Sequence, residues 1–295
     1  MLKSITKEYT VESEKLSKKY NILAFADTHF GPFVSSELLN NMKNEILSSP
    51  DKIDLILISG DIMNTKSYLN DKMFDKKKRL LDELSILADA PIFMCLGIHD
   101  VGLFSEKEYE SVIKRFESLR ENTNLYPLNN STSTYDGIDI SGITLPNEAY
   151  KTANVFGKNG EVLNDTLSEF NKGINSEPFN ICLIHDPLAA YYSWMQNESS
   201  TAPYDLIFSG HLHGGYLSKN DLLAESVLKE GYVEYFKDGK LFAKIPFCGG
   251  IYNLGNTKLV VNEGIRRFNG WIPWFINTTP FYSKIELSPK LTMKK

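Results

Sequence analysis

Short apolar runs alternate with amphipathic helical patterns along the first half of the chain. Each run is rich in β-branched or large apolar residues and breaks at a glycine or a polar residue, as buried strands do. The runs lie at 20–27, 52–61 and 91–97. Three other segments repeat apolar residues every three or four positions, which predicts helices. They lie at 36–49, 74–89 and 105–122. This βαβαβα order predicts a mainly parallel sheet covered by helices.

The second half of the chain predicts shorter strands and more turns. Asp136-Gly137 indicates the turn of a hairpin over residues 133–145. Two further apolar runs, at 179–187 and 204–215, end in loops that contain histidine. Two more hairpin turns are predicted within residues 231–262, at Asp238-Gly239 and Gly249-Gly250.

The complete pattern predicts an α/β protein of four layers, α/β/β/α, in which two mixed sheets pack face to face between flanking helices. A chain of 295 residues can bury a core of this size. We expect a single domain over residues 1–295, with its core at about 20–265 and an aromatic tail at 266–295.

Composition excludes some classes of function. The net charge of −5 argues against an extended surface for nucleic acid. No stretch of about 18 apolar residues occurs, so no membrane-spanning helix is predicted. The first 20 residues are charged throughout and lack the apolar segment of a signal peptide. Three cysteines without a CxxC pair predict buried thiols in a reducing compartment, so we expect a cytoplasmic protein.

All five histidines lie at or just past the end of an apolar run, and aspartates accompany them. Ligands of open α/β sheets bind outside the carboxyl ends of the strands, so this placement predicts one shared site. A set of His and Asp ligands is typical of borderline metals such as Zn²⁺, Mn²⁺ or Fe. The candidates exceed what one tetrahedral ion takes, which favours two ions about 3.5–4 Å apart. The residues are Asp27, His29, Asp61, His99, Asp100, His185, His211 and His213.

These residues occur in five ordered motifs. Together the motifs resemble the calcineurin-like metallophosphoesterase superfamily, whose pattern is DxH, GD, GNH(D/E), H and GHxH. The resemblance covers about residues 20–265, and "GHLHGGY" is most similar to a bacterial, often membrane-associated branch that carries GHTHGGQ. The motifs are "DTH" at 27–29, "GD" at 60–61, "GIHD" at 97–100, His185 and "GHLH" at 210–213.

The resemblance implies a role for each residue. A metal-activated water would hydrolyse a phosphomonoester or phosphodiester at a two-metal site, with Mn, Fe, Zn or Ni as the ions. His99 would protonate the leaving oxygen or stabilise the transition state, and Asp100 would orient His99. Asp61 would bridge the two metals. The other implied ligands are Asp27, His29 and His213 for the first ion, and His185 and His211 for the second.

Ile98 departs from the family pattern, which has an asparagine ligand at this position. An isoleucine side chain cannot bind a metal ion, and three alternatives follow. In the first, the remaining ligands and water bind a second ion with lower affinity. In the second, the site binds one ion. In the third, the chain is a catalytically impaired metal- or phosphate-binding relative, or an engineered inactive variant. The retained histidines and aspartates favour retained metal binding.

Two other segments bear on the partners of the protein. Residues 265–281 combine two Arg, two Trp and three Phe, which indicates either aromatic packing or peripheral contact with a membrane. The run "KKKR" at 76–79 indicates a solvated helix face, with phosphate capture as the alternative. We expect a small-molecule or lipid-linked phosphoester as the substrate and no nucleic acid, and the oligomeric state stays open.

Overall fold

Two six-stranded sheets form the centre of the fold, as the sequence predicts. The computed structural model describes residues 4–30, 36–101, 105–121, 123–145, 167–168, 170–196, 203–211, 233–237, 240–244, 249–265 and 281–290. The strands of the described chain are β1 (Ile5–Ser13), β2 (Tyr20–Phe25), β3 (Leu55–Ser59), β4 (Ile92–Cys95), β5 (Leu125–Pro127), β6 (Ser131–Tyr135), β7 (Ile138–Ile143), β8 (Phe179–Ile184), β9 (Leu206–Ser209), β10 (Val233–Lys237), β11 (Lys240–Lys244), β12 (Gly250–Leu254), β13 (Thr257–Val261) and β14 (Phe281–Pro289).

Three of the six described helices follow the predicted segments closely, and the sequence pattern does not predict the other three. The 105–122 segment forms its helix behind a capping box, in which Ser105 and Glu108 satisfy each other's backbone N–H groups. No described helix has both the length and the apolar character that crossing a membrane would require. The helices are α1 (Ser36–Leu47), α2 (Thr65–Tyr68), α3 (Asp71–Ala88), α4 (Ile98–Val101), α5 (Glu106–Ser118) and α6 (Pro187–Gln196).

Both sheets are mixed. The first has the order β1-β14-β2-β3-β4-β5, with β2 to β5 parallel and β14 antiparallel to β2. The second has the order β12-β13-β9-β8-β7-β6, with a parallel centre and an antiparallel strand at each edge. One apolar cluster fills the space between the sheets, for example Leu57 and Phe93 against Ile140 and Phe179. Helices α1, α3 and α5 cover the outer face of the first sheet, and α6 packs on the second.

Strands at both ends of the described chain lie outside the predicted core of 20–265. Strand β1 pairs in parallel with β14, and β14 lies inside the first sheet between β1 and β2. The aromatic tail predicted at 266–295 therefore contains a central strand. The sequence hides β1 because its alternation of charged and half-buried residues is that of an edge strand. Residues 266–280 lie outside the described residues, so membrane contact through 265–281 stays a prediction.

One local expectation is wrong, and another holds only in part. Gly249-Gly250 is not the turn of a hairpin, because Gly250 begins β12. The turn between β12 and β13 lies at Gly255. Gly249 is required for close packing, since a Cβ atom there would lie 2.4 Å from the side chain of Glu263. In "KKKR", Lys76 and Arg79 are exposed as predicted for a solvated helix face. Lys77 is only 1% exposed, because it lies on the core side of α3. The turn predicted at Asp136-Gly137 is confirmed, and both residues have positive φ angles as a type I′ turn requires.

Replacing Ile285 by alanine tests whether β14 is a core strand. Ile285 is 1% exposed and packs in the cluster between the sheets, so Ile285→Ala is expected to lower the free energy of unfolding by about 2–5 kcal/mol. Urea denaturation measures the change. Ile251→Ala on β12, at a position 40% exposed, is the matched control and should cost far less. Equal effects of the two substitutions would contradict the placement of β14.

Candidate metal centre

The carboxyl ends of five strands meet at one edge of the two sheets. Asp27 and His29 follow β2, Asp61 follows β3, and His99 follows β4. From the second sheet, His185 follows β8 and His211 follows β9. The structure therefore brings together all of the predicted ligands that it describes. His213 lies outside the described residues, so its role and the assignment to the bacterial branch stay predictions.

The Asp61 carboxylate is the centre of this group. Its Oδ2 atom lies 3.2 Å from Nε2 of His185 and 3.6 Å from Nε2 of His29. Nε2 of His99 is 4.0 Å from the same oxygen, and the His99 backbone N–H donates to the other oxygen, Oδ1, at 2.8 Å. Asp61 is 1% exposed, so protein groups rather than water surround its carboxylate.

The ring of His185 is held with one nitrogen toward the cluster. Its Nδ1 atom lies 2.8 Å from the carbonyl oxygen of Ser59, an arrangement that makes Nδ1–H the donor. Nε2 then faces Asp61 and, at 3.8 Å, Oδ1 of Asp27. A histidine that donates one N–H to a backbone carbonyl and presents the other nitrogen is the usual arrangement of a metal ligand.

The backbone at these positions adopts an uncommon conformation. Four of the candidate ligands have φ angles in the left-handed region: Asp27 at 57°, His29 at 42°, Asp61 at 50° and His211 at 70°. Non-glycine residues rarely adopt this region, and such residues cluster at functional sites. Backbone hydrogen bonds stabilise the turns, including one from His29 N–H to the Asp61 carbonyl at 2.7 Å.

Two glycines allow the strands to approach these side chains. A Cβ atom on Gly97 would lie 2.3 Å from Oδ1 of Asp61, and a Cβ atom on Gly60 would lie 2.4 Å from Nδ1 of His185. Gly60 also has a φ angle of 76°, which glycine adopts at no steric cost. Glycine is therefore required at both positions for the ligands to meet.

Burial and the close charges shift the pKa values of the cluster. Burial raises the pKa of Asp61, but the histidines His185, His29 and His99 outweigh it and hold that pKa well below its usual range. Burial lowers the pKa of His185, but the carboxylates of Asp61 and Asp27 outweigh it and raise the pKa to about 10. The buried carboxylates thus strongly favour a positive charge beside them, and a divalent cation would supply it.

The Asp100 carboxylate hydrogen-bonds to backbone groups around the site, and its implied role in orienting His99 stays a prediction. Its carboxylate accepts hydrogen bonds from the backbone N–H groups of Gly97, Ile62 and Met63, at 2.9, 3.1 and 2.7 Å. These hydrogen bonds to the side chain of Asp100 join the turns after β3 and β4. Asp100 therefore fixes the turn that carries His99 against the turn that follows Asp61. Burial and then the Asp61 charge raise its pKa to about 8.

Thr65 is a positioning residue that the sequence pattern does not reveal. Its hydroxyl donates to the carbonyl oxygens of His99 and Asp100, at 3.1 and 3.0 Å, and it is 3% exposed. It attaches α2 to the turn that carries His99. A lone threonine at the start of a short helix gives no signal in a single sequence, so only the structure identifies this contact.

The described ligand atoms fit divalent metal. Asp27, His29 and Asp61 form one group whose ligand atoms lie within 4.8 Å of one another, and Asp61, His185 and His211 form another. Nε2 of His185 and Oδ2 of Asp61 are buried, and within the described residues neither makes a well-directed hydrogen bond, as expected of atoms that coordinate an ion. Nitrogen and carboxylate donors together suit Mn, Fe, Zn or Ni. Ile98, partly exposed at the start of α4, offers no donor.

Comparisons with known proteins agree with this chemistry. The sequence model of the calcineurin-like phosphoesterase family matches residues 20–215. An uncharacterized metallophosphoesterase of Campylobacter jejuni is 25% identical over 264 residues, which cover 88% of this chain and 57% of that protein. Phosphodiesterase YaeI of Escherichia coli is 30% identical over 202 residues, which cover 67% of this chain and 62% of that protein.

A solved structure also resembles the chain. GAP50, the anchor in the inner membrane complex of Plasmodium, superposes with a TM-score of 0.47 at 15% sequence identity. The superposition covers 92% of this chain and 82% of the GAP50 chain. The chain spans between half and two thirds of the length of the bacterial relatives that it matches.

Replacing Gly97 by alanine tests the close packing at Asp61. The added Cβ atom would displace the Asp61 carboxylate, so Gly97→Ala is expected to weaken metal binding roughly 10–100-fold. Titration of chelator-stripped protein with Mn²⁺ measures the affinity. Gly173→Ala is the control, because a Cβ atom there meets only a carbonyl oxygen at 3.9 Å. Unchanged affinity in Gly97→Ala would contradict the geometry.

Proposed function

Because the chain belongs to the calcineurin-like phosphoesterase family, we propose that it is a metal-dependent hydrolase of phosphate esters that binds two cations. The observation that carries the proposal is the sharing of Asp61 by two groups of ligand atoms. One carboxylate oxygen near three imidazoles suits a bridge between two ions, and sites of this kind serve phosphoester hydrolysis.

The bound ions would neutralise the charge that builds on the phosphate oxygens and lower the pKa of the attacking water. Asp27 and His29 would hold one ion, His185 and His211 would hold the other, and Asp61 would bind both. His213 is proposed as a further ligand of the first ion.

His99 is placed to act on the leaving group. Its side chain is 55% exposed, while its ring packs edge-to-face on His29 with the centroids 5.0 Å apart. The imidazole therefore borders both solvent and the ligand cluster, where it can donate a proton to the departing oxygen. Asp100 and Thr65 hold the backbone that carries it, so the ring stays beside the cluster.

The proposed substrate is a phosphodiester of a small or lipid-linked molecule. The E. coli relative is described as a phosphodiesterase, which supports a diester over a monoester. The net charge of −5 disfavours nucleic acid. Peripheral contact with a membrane through residues 265–281 stays part of the proposal for a lipid-linked substrate.

Activity and its dependence on His99 test the proposal. Protein reloaded with Mn²⁺ is expected to hydrolyse an aryl phosphodiester, and chelation is expected to abolish the activity. His99→Ala should lower kcat by about 10²–10⁴-fold, because it removes the proton donor. The metal content of His99→Ala should equal that of the parent, which shows that the lower kcat comes from the lost proton donor and not from lost metal. Absence of turnover with Mn²⁺, Fe²⁺, Zn²⁺ and Ni²⁺ would count against the proposal.

A second candidate function, metal or phosphate binding without turnover, is favoured by Ile98 alone. If the chain is an enzyme, the parent is active and Ile98→Asn tightens the second ion by about 10–100-fold. If it is an impaired relative, the parent is inactive and Ile98→Asn restores turnover. Ile98→Leu is the control, since it adds no donor. Metal titration and diester hydrolysis on the three proteins separate the two candidates.

A further inference from the structure

A cleft of about 530 Å³ lies along α3, apart from the metal centre. Four basic residues and two acidic residues of the helix line it, together with Leu80. One of the acids, Glu83, already pairs with Lys43 at 3.1 Å. The lining is therefore positive, although the whole protein carries a net charge of −5.

Three of the basic residues share one side of the helix. Lys72, Lys76 and Arg79 are spaced i, i+4 and i+7, which places them on one face. In the part of the chain that the structure describes, none of the three forms an ion pair, whereas Arg115 and Asp71 pair nearby. Asp75 lines the same cleft and offsets part of the repulsion among the three cations, and a bound anion would offset more of it.

Lys77 differs from these three cations, because it lies on the core side of α3. It lines the cleft yet is 1% exposed. Burial, followed by the charge of Lys76, lowers the pKa of Lys77 to about 8. The proposed anion-binding face therefore consists of the three exposed cations, Lys72, Lys76 and Arg79.

The dimensions of the basic face indicate the ligand. From Lys72 to Arg79 the helix rises about 10 Å, at 1.5 Å per residue, which is wider than one phosphate needs. Arginine and lysine together suit phosphate oxygens, through a planar fork and point charges respectively. We propose that this cleft binds clustered phosphate groups, either of a soluble pyrophosphate-like ligand or of lipid headgroups.

The cleft is distinct from the proposed catalytic site. None of its lining residues is a candidate metal ligand. Helix α3 leads from β3 to β4, which are parallel, so its first turns lie at the sheet edge where the ligands meet. A phosphate bound there would lie on the same side of the molecule as the metal centre.

Calorimetry with inorganic pyrophosphate tests the binding. Chelator-stripped protein is used, so that metal-bound pyrophosphate does not contribute. The variant Lys72→Ala/Lys76→Ala/Arg79→Ala is expected to bind at least about tenfold more weakly than the parent. The control Lys107→Ala/Lys114→Ala/Lys172→Ala removes the same charge from exposed positions elsewhere and should bind like the parent.

Sedimentation with vesicles identifies the source of the phosphate. Phosphatidylcholine vesicles are compared with and without phosphatidic acid, on the same three proteins. The proposal is supported if the α3 variant loses binding and the control keeps it. Binding of pyrophosphate indicates a soluble ligand, and binding to vesicles with phosphatidic acid indicates a lipid headgroup. No binding to either probe, or equal loss in both variants, overturns the proposal. Diester hydrolysis is measured separately, so failure here leaves the proposed function standing.

Discussion

A fully buried carboxylate, Asp61, is the constraint on which the rest of the site depends. Taking a carboxylate out of water is costly unless hydrogen bonds and opposite charge compensate. One oxygen receives the His99 N–H, and the other faces three imidazoles. The left-handed turns and the two packed glycines all act to bring these groups within reach. A second carboxylate, Asp27, increases the need for positive charge.

The position of the site was predictable from the sequence because strand ends and reactive side chains coincide. Parallel strands place their carboxyl ends at one edge, which is why the four described histidines at strand ends converge. The ordered motifs then indicated the family. The two mixed sheets followed from the alternation of strands and helices, because each pattern has its own period.

Other features depend on contacts distant in sequence and could not be predicted. Strand β14 joins the first sheet through pairing with β1 and β2, and nothing local marks it as central. Asp100 accepts from backbone N–H groups that lie near it only after β3 and β4 align. Lys77 looks solvated in a basic run, although helical geometry turns it toward the core. Ile98 is the opposite case. The sequence reveals that a metal-binding side chain is missing there, but neither the sequence nor the fold gives the affinity of the second ion.

The central claim is that one carboxylate serves two ions, and metal analysis of reloaded protein tests it most directly. After chelation and reloading with Mn²⁺, the parent is expected to hold about two ions per chain. Asp61→Asn should lose both, because each ligand group contains that residue. A parent that holds only one ion, or an Asp61→Asn variant that keeps as many ions as the parent, would contradict the account.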